Sequence, residues 1–255
     1  MRAYKEALYR LLSIEYNCPP AFFEQDENRL TVSSCREGRR MYDPTPTPPF
    51  FQMVTAGRGS VATADERLHP FLEGFLKDRM GHWLFEQPNL LPLEQELNRF
   101  GYTLRSAHHM YLPLAEPSAK PLQGCKVKWF FDEEIHPFYG DPSFRNALCE
   151  TYQPHRPDRI AVCAYDGDTI VGMAGCSEDA PHWMQIGIDV LPSHRSRGIG
   201  QGLVSLLRAK IEENGDIPFY GTAPANCHSQ CIAIACGFRP AWVEIGARKR
   251  QEKVF

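Results

Sequence analysis

The stretch from Ile188 to Gln201, IDVLPSHRSRGIGQ, constrains this chain more than any other. The apolar run ending at Leu191-Pro192 predicts a strand. Beyond it, Ile199, Leu203, Leu206, Leu207 and Ile211 recur at the spacing of an amphipathic helix, which Asn214-Gly215 is suited to stop. A strand that passes through a glycine turn into such a helix requires a sheet with helices packed on it. The turn Arg195-Ser196-Arg197-Gly198-Ile199-Gly200 is also an anion cradle. The first amides of a helix have no partner inside it, glycines let a ligand approach the backbone, and the helix dipole adds partial positive charge. Arg195 and Arg197 supply further charge suited to a pyrophosphate. They could also be a solvated pair, the weaker reading for two arginines bracketing a glycine turn.

The surrounding sequence extends this pattern. Asp158–Tyr165 and Thr169–Cys176 read as strands joined by Asp166-Gly167, a hairpin turn that tolerates positive φ. His182–Leu191 is a third strand. After the helix come a strand at Pro218–Thr222, a helix at Cys227–Cys236 and a last strand at Trp242–Ala247. Ile234, Phe238 and Trp242 read as core. The expected class is α/β, with a mixed α+β sheet.

At 255 residues the chain is long enough for two domains. The proline-rich stretch Leu112–Gly124 reads as an extended connection, dividing residues 1–117 from 118–255. A second cluster, Pro44–Pro49, reads as a loop leading into a buried strand. The first half predicts strand, helix, strand, helix, strand at Phe51–Ala56, Glu66–Arg79, His82–Glu86, Leu90–Phe100 and Tyr102–Leu112. Pro88 and Gly101-Tyr102 precede Pro224 and Gly237-Phe238 by the same 136 residues. The first half thus reads as a smaller α/β domain, either a decayed duplicate of the second or a coincidence of common α/β order. It has no RxxGxG-type turn.

A net charge of −3 gives no electrostatic case for nucleic acid or an anionic membrane. No apolar stretch approaches the roughly 20 residues that a spanning helix needs. The opening MRAYKEALYRLL mixes charge with a helical face and does not read as a signal peptide. A cytoplasmic protein is expected. Nine scattered cysteines without metal-site spacing read as buried, reduced thiols, and no metal is expected.

The run Arg195–Gly200 resembles the (Q/R)xxGx(G/A) coenzyme A pyrophosphate motif of the GNAT superfamily of N-acetyltransferases, with Arg195, Gly198 and Gly200 in the defining places and Val190 and Pro192 matching the preceding V-x-P. Asn226-Cys227-His228-Ser229 with Gly237-Phe238 resembles the NxxS…GF helix of the same family. The resemblance covers roughly residues 125–255. It implies a GNAT-like fold in the C-terminal half, with acetyl-CoA as cosubstrate. By the same resemblance, the strand of Ile188, Asp189 and Val190 splays from Phe219–Thr222 and holds the pantetheine arm. Arg195, Ser196, Arg197, Gly198, Ile199, Gly200 and Gln201 then hold the pyrophosphate, and Asn226 and Ser229 add contacts. Asn226 also suits a helix N-cap.

A primary amine is protonated near neutral pH, so attack on the thioester calls for a base. Asp189 is the first choice; Glu178, Asp179 and His182 are alternatives that read equally as surface residues. Many family members place a tyrosine acid four residues before the Gly-Phe pair, where this chain has Ala233. Ser229, Tyr220 or Cys231 could substitute, or water could suffice. The acceptor site is expected along Trp129–Glu150, where Asp132, Glu133 and Glu134 either attract an amine or form an acidic first helical turn. A small-molecule amine is the expected acceptor, with a peptide also open. The alternative function is a non-catalytic acyl-CoA-binding module.

Overall fold

The computed structural model describes residues 2–42 and 44–250. In chain order its helices and strands are α1 (Arg2–Glu15), β1 (Arg29–Val32), β2 (Phe51–Thr55), β3 (Ser60–Ala64), α2 (His69–Leu76), α3 (Gln87–Arg99), β4 (Tyr102–Leu104), β5 (His108–Leu112), β6 (Lys126–Phe131), β7 (Asp158–Asp166), β8 (Thr169–Ala180), β9 (Trp183–Val190), α4 (Ile199–Glu213), β10 (Ile217–Thr222), α5 (Cys227–Ala235) and β11 (Arg239–Lys249), with short 3₁₀ turns between them. This is a mixed α/β architecture, as the sequence predicts. Among the described residues no helix is long and apolar enough to cross a membrane.

The chain divides into two compact units, each assembled from separated stretches. One comprises Arg2–Arg39, Thr45–Met110 and the chain from Ala241 onward; the other comprises Arg40–Pro44 and Tyr111–Pro240. The proline-rich connection therefore belongs wholly to the second unit, and β11 passes from the second into the first.

In the first unit β1 lies parallel to β3, β3 antiparallel to β2, β2 antiparallel to β11, and β4 pairs the far end of β11. Phe51, Met53, Leu68, Leu72, Leu93, Leu97 and Ile245 form its core. Two expectations fail here. Residues Gly81–Phe85 form a 3₁₀ turn where the sequence reading placed a strand, and Ser60–Ala64 form a buried strand that it did not name. In Gly81–Phe85 only Gly81 and Leu84 are buried while Trp83 is half exposed, so the apolar composition does not alternate as a strand requires. Of the strand–helix–strand–helix–strand order expected here, β2, α2, α3 and the last strand, divided into β4 and β5, are present and the middle strand is not; the glycine before the last strand is left-handed in both halves (Gly101, φ 79°; Gly237, φ 82°).

In the second unit the strand order is β10-β9-β8-β7-β6, antiparallel except for the parallel pair β9/β10. The α4 and α5 helices cover one face, burying Ile199, Leu203, Val204, Leu207 and Ile211 against Ile160, Val162, Val171, Ala174 and Ile186. Leu206 is partly exposed at the margin of that helix face, and Ile234 is 44% exposed, a correction to the expected core. α5 is two and a half turns long and buries only Ala233, so Ile234 falls on its outer side. Phe238 and Trp242 are buried as expected. The opposite sheet face carries Ile135, Phe144, Ala147 and Leu148 packed on Ala161, Cys163 and Met173.

Candidate active site

The glycine turn folds as an open cradle. Ser196 (φ 62°) and Gly198 (φ 79°) both adopt left-handed backbone, the alternation that turns successive amides toward one side. Gly198 is the N-cap of α4 and offers no side chain to bond its first amides. Gly202 N–H, bonded to Gly198 O at 3.0 Å, starts the helical ladder, and among the described residues none of the amides from Ser196 to Gln201 reaches a backbone carbonyl outside it. A Cβ at Gly198 would have nothing within 4 Å, so the space above the cradle is open. Arg195 Nε donates to Val190 O (3.2 Å) and Arg197 Nη2 to Ser193 O (3.1 Å), which fixes both side chains beside the turn without an ion pair among the described residues. This arrangement fits an anionic phosphate group.

Gly200 brings α4 against the strand. A Cβ there would meet Ile232 Cδ1 at 3.3 Å, Val190 Cγ2 at 3.6 Å and Ile188 Cγ1 at 3.7 Å. The parallel ladder between β9 and β10 runs from Ile217↔Trp183 to Tyr220↔Ile186 and stops. β9 continues to Val190, paired to β8 on one side and to nothing in β10 on the other. The edge from Gly187 to Val190 can therefore accept an extended polar chain as an added strand. Asn226 is the N-cap of α5, its Oδ1 accepting Ser229 N–H at 3.2 Å. Ser229 Oγ lies 2.9 Å from the hydroxyl of Tyr220. Tyr220 is 2% exposed, and burial pushes its hydroxyl up to about 12 despite the lowering effect of Ser229. One turn beyond Ser229, Ala233 is fully buried.

The carboxylates and the histidine offered as bases are engaged elsewhere. Asp189 Oδ2 accepts the amides of Asn146 (2.6 Å) and Ala147 (3.0 Å), and Oδ1 accepts Asn146 Nδ2 (2.6 Å). Its carboxylate thereby ties the 145–148 segment to β9. Glu178 pairs with Arg159 at 2.7 Å. Asp179, fully buried, accepts Arg156 Nε at 2.6 Å and Ser177 Oγ at 2.7 Å. His182 bonds Asp216 at the start of β9, roughly 20 Å along the strand from Ile188. Asp132, Glu133 and Glu134 form the first turn of a 3₁₀ helix; Asp132 meets Arg159 and Glu134 accepts the Phe131 amide.

Directly paired Gly175 and Gly187 leave the sheet bare of side chains where that segment crosses it. A Cβ at Gly175 would collide with Ala147 O, and one at Gly187 with Asn146 O. Beside this crossing lies a cavity of about 500 Å³ walled by Arg145–Glu150, Gln153, His155, Arg156, Gln185, Ile186 and Gly187. Met41, Tyr42 and Pro44 complete the wall. Met41 N–H donates to Asp179 O (2.7 Å) and Tyr42 Oη to Gln185 Oε1 (2.9 Å). The Tyr42 ring lies 5.4 Å from the Arg40 guanidinium and 5.1 Å from that of Arg156. Sequence reasoning did not find Tyr42 or Arg156, and it reached Asn146 only as part of the Trp129–Glu150 segment. A glycine inside the apolar strand at Gly187 was the available sign of a close backbone approach.

All nine cysteines are free. Cys18, Cys163, Cys176 and Cys236 are buried as expected, but Cys35, Cys227 and Cys231 are exposed, the latter two on the outer side of α5.

The Acetyltransferase (GNAT) family model matches residues 124–238. The chain is 28% identical over 89 residues to a mycothiol acetyltransferase of Kocuria rhizophila, a match taking in 34% of this chain and 29% of that protein. It thus spans less than a third of that relative. Among solved structures it is similar to a GNAT-family acetyltransferase from Novosphingobium aromaticivorans (15% identity, TM-score 0.45, 59% of this chain and 69% of that one). It is also similar to a GCN5-related N-acetyltransferase from Kribbella flavida (15% identity, TM-score 0.47, 64% and 66%).

Proposed function

Residues 124–238 form a GNAT-family acetyltransferase domain, and from that premise we propose that the protein is an N-acetyltransferase that moves the acetyl group of acetyl-CoA to a primary amine. The observation that carries this reading is the cradle at Ser196–Gln201, whose amides bond no backbone carbonyl among the described residues, standing next to the unpaired edge of β9. Arg195, Arg197 and the cradle amides would hold the pyrophosphate; the open backbone of Ile188 and the Val190 amide would hold the pantetheine, with Asn226 and Ser229 alongside. Acetyl-CoA supplies an activated acyl carbon and a thiol leaving group. A free β9 amide would stabilise the oxyanion formed on attack.

The 500 Å³ cavity reaches β9 at Gln185–Gly187 and is the proposed entrance for the amine. Asp189, tied by three hydrogen bonds to Asn146 and Ala147, acts on this reading as a positioning residue for the cavity wall. Glu150 is the exposed carboxylate on that wall that faces the incoming amine and can take its proton. At the other side of the reacting bond, Ser229 donates a proton to the departing sulfur and draws one from Tyr220. Burial keeps Tyr220 protonated at neutral pH, which an acid requires. Ala233, at the family's usual tyrosine position, has no proton to give, which supports assigning the acid to this pair.

Calorimetric titration with acetyl-CoA, with desulfo-CoA and ATP as controls, tests the reading together with amine-dependent thiol release. One acetyl-CoA per chain and turnover that collapses in Gly198→Glu are expected. A carboxylate there would fill the open space of the cradle. Full activity in that variant refutes the site, and binding without turnover over a broad amine panel favours a non-catalytic acyl-CoA-binding module.

A further inference from the structure

The cavity wall carries charges of two kinds. Some are matched within the protein: Arg156 bonds Asp179 and Ser177, and the Asp158 carboxylate accepts the Cys149 amide at 3.1 Å. Burial also drives the Asp158 carboxyl toward its neutral form. Others have no partner among the described residues. Arg145, Glu150 and His155 line the same cavity, and none of them makes a hydrogen bond or ion pair among the described residues. The wall on which they stand is held in place. The Asp189 carboxylate fixes the backbone at Asn146 and Ala147, next to Arg145, and the Arg156–Asp179 pair fixes the chain beside His155. Tyr42, bonded to Gln185 and lying against the Arg40 and Arg156 guanidiniums, stands on the same wall.

Resting on the reading of this cavity as the acceptor site, we propose that the acceptor is a small amine that also carries an anionic group. The anion faces Arg145, with His155 adding to the attraction when charged, and the ammonium faces Glu150. A cavity of this volume takes an amino-acid-sized molecule. Arg145 and Glu150 are exposed and His155 is half-buried, so their attraction is screened by salt but keeps its sign. A polyamine would bring like charge to Arg145, an arrangement that rejects it. The guanidinium recognises carboxylate and phosphate alike, so both sources of the anion are included in the test.

The experiment compares kcat/KM for matched amines: the α-amino acids against their amides, O-phosphoethanolamine against ethanolamine, and spermidine as a cationic control. The wild-type protein is expected to prefer the anionic member of a pair at least about tenfold, and the preference should fall toward parity in Arg145→Gln. Preference for the amide, for ethanolamine or for spermidine overturns the proposal, as does a preference that Arg145→Gln leaves intact. Which pair shows the effect decides between carboxylate and phosphate. The same pairs are titrated calorimetrically into the protein, so the preference is also read without turnover. Arg145-dependent binding with no acetyl transfer would overturn the reaction assignment while sustaining the acceptor class. Acetyl transfer without the anion preference would do the reverse.

Discussion

Substituting Gly187 by alanine should separate the cavity wall from the cofactor cradle. A Cβ at Gly187 overlaps the Asn146 carbonyl oxygen and stands 2.8 Å from its carbon and 3.2 Å from Ala147 Cα. These atoms are backbone, so the 145–148 segment must lift by on the order of 1 Å, at a cost of about 1–3 kcal/mol for overpacking. The lift stretches the Asn146 and Ala147 bonds to Asp189, now 2.6, 2.6 and 3.0 Å. Asp189 is only partly buried, so this loss adds about 1 kcal/mol. A total near 2–4 kcal/mol should appear in urea unfolding as a lower midpoint with an unchanged slope. The β9 side chains that meet α4, Ile188 and Val190, lie on the other face of the strand. Acetyl-CoA affinity should therefore stay within about twofold, while KM for the amine rises tenfold or more, since a misplacement of ~1 Å can cost about 10²-fold. Wild-type stability together with a wild-type amine KM would refute the reasoning. So would a loss of acetyl-CoA binding as large as the loss for the amine.

The acid pair predicts that Tyr220→Phe and Ser229→Ala each lower kcat by about 10²-fold with little change in acetyl-CoA affinity, measured by steady-state kinetics and titration. Because Tyr220 acts in its protonated form and its hydroxyl lies near 12, its deprotonation should cause no fall in kcat below about pH 11. Alkaline stability carries a sign of its own. Burial raises the thiols of Cys18 and Cys163 to about 12 from 9.0, so the folded protein holds protons that the unfolded chain releases. Their contribution is complete below pH 9 and declines as pH rises toward 12, which melting temperatures across that range will show. In the folded protein iodoacetamide should label Cys35, Cys227 and Cys231 quickly and leave Cys18, Cys163, Cys176 and Cys236 protected until unfolding, as read by peptide mass spectrometry. Truncating Asp179 to alanine leaves the Arg156 charge without its partner and should destabilise the fold by about 3 kcal/mol in the same urea assay.

Local chemistry in the chain was enough to locate the glycine turn proposed to hold a phosphate. Two glycines after a strand, two arginines beside them and a helical apolar stripe have one common solution, because the unpaired amides, the positive φ at Gly198 and the dipole all arise within a dozen residues. The hairpin at Asp166-Gly167, α4 and the cap at Asn226 were legible for the same reason: period and turn chemistry act between near neighbours. The strand predicted at His82–Glu86 failed because apolar content without alternation does not specify extended chain.

What the tertiary structure alone decided is which distant segments share a surface. Asp189 was readable as a base only while its surroundings were unknown; the fold brings Asn146, 43 residues away, onto its carboxylate. Tyr42 reaches Gln185 across 143 residues, and no periodicity or motif in the loop before the prolines announces that contact. Gly187 carries its meaning in the same way, since the carbonyl that excludes a Cβ belongs to another part of the chain. Capping, turns and amphipathic faces are short-range physics and can be read from neighbouring residues. The cavity wall proposed to receive the acceptor depends on packing between segments far apart in sequence, and its partners are set only when the sheet and the loops crossing it are in place.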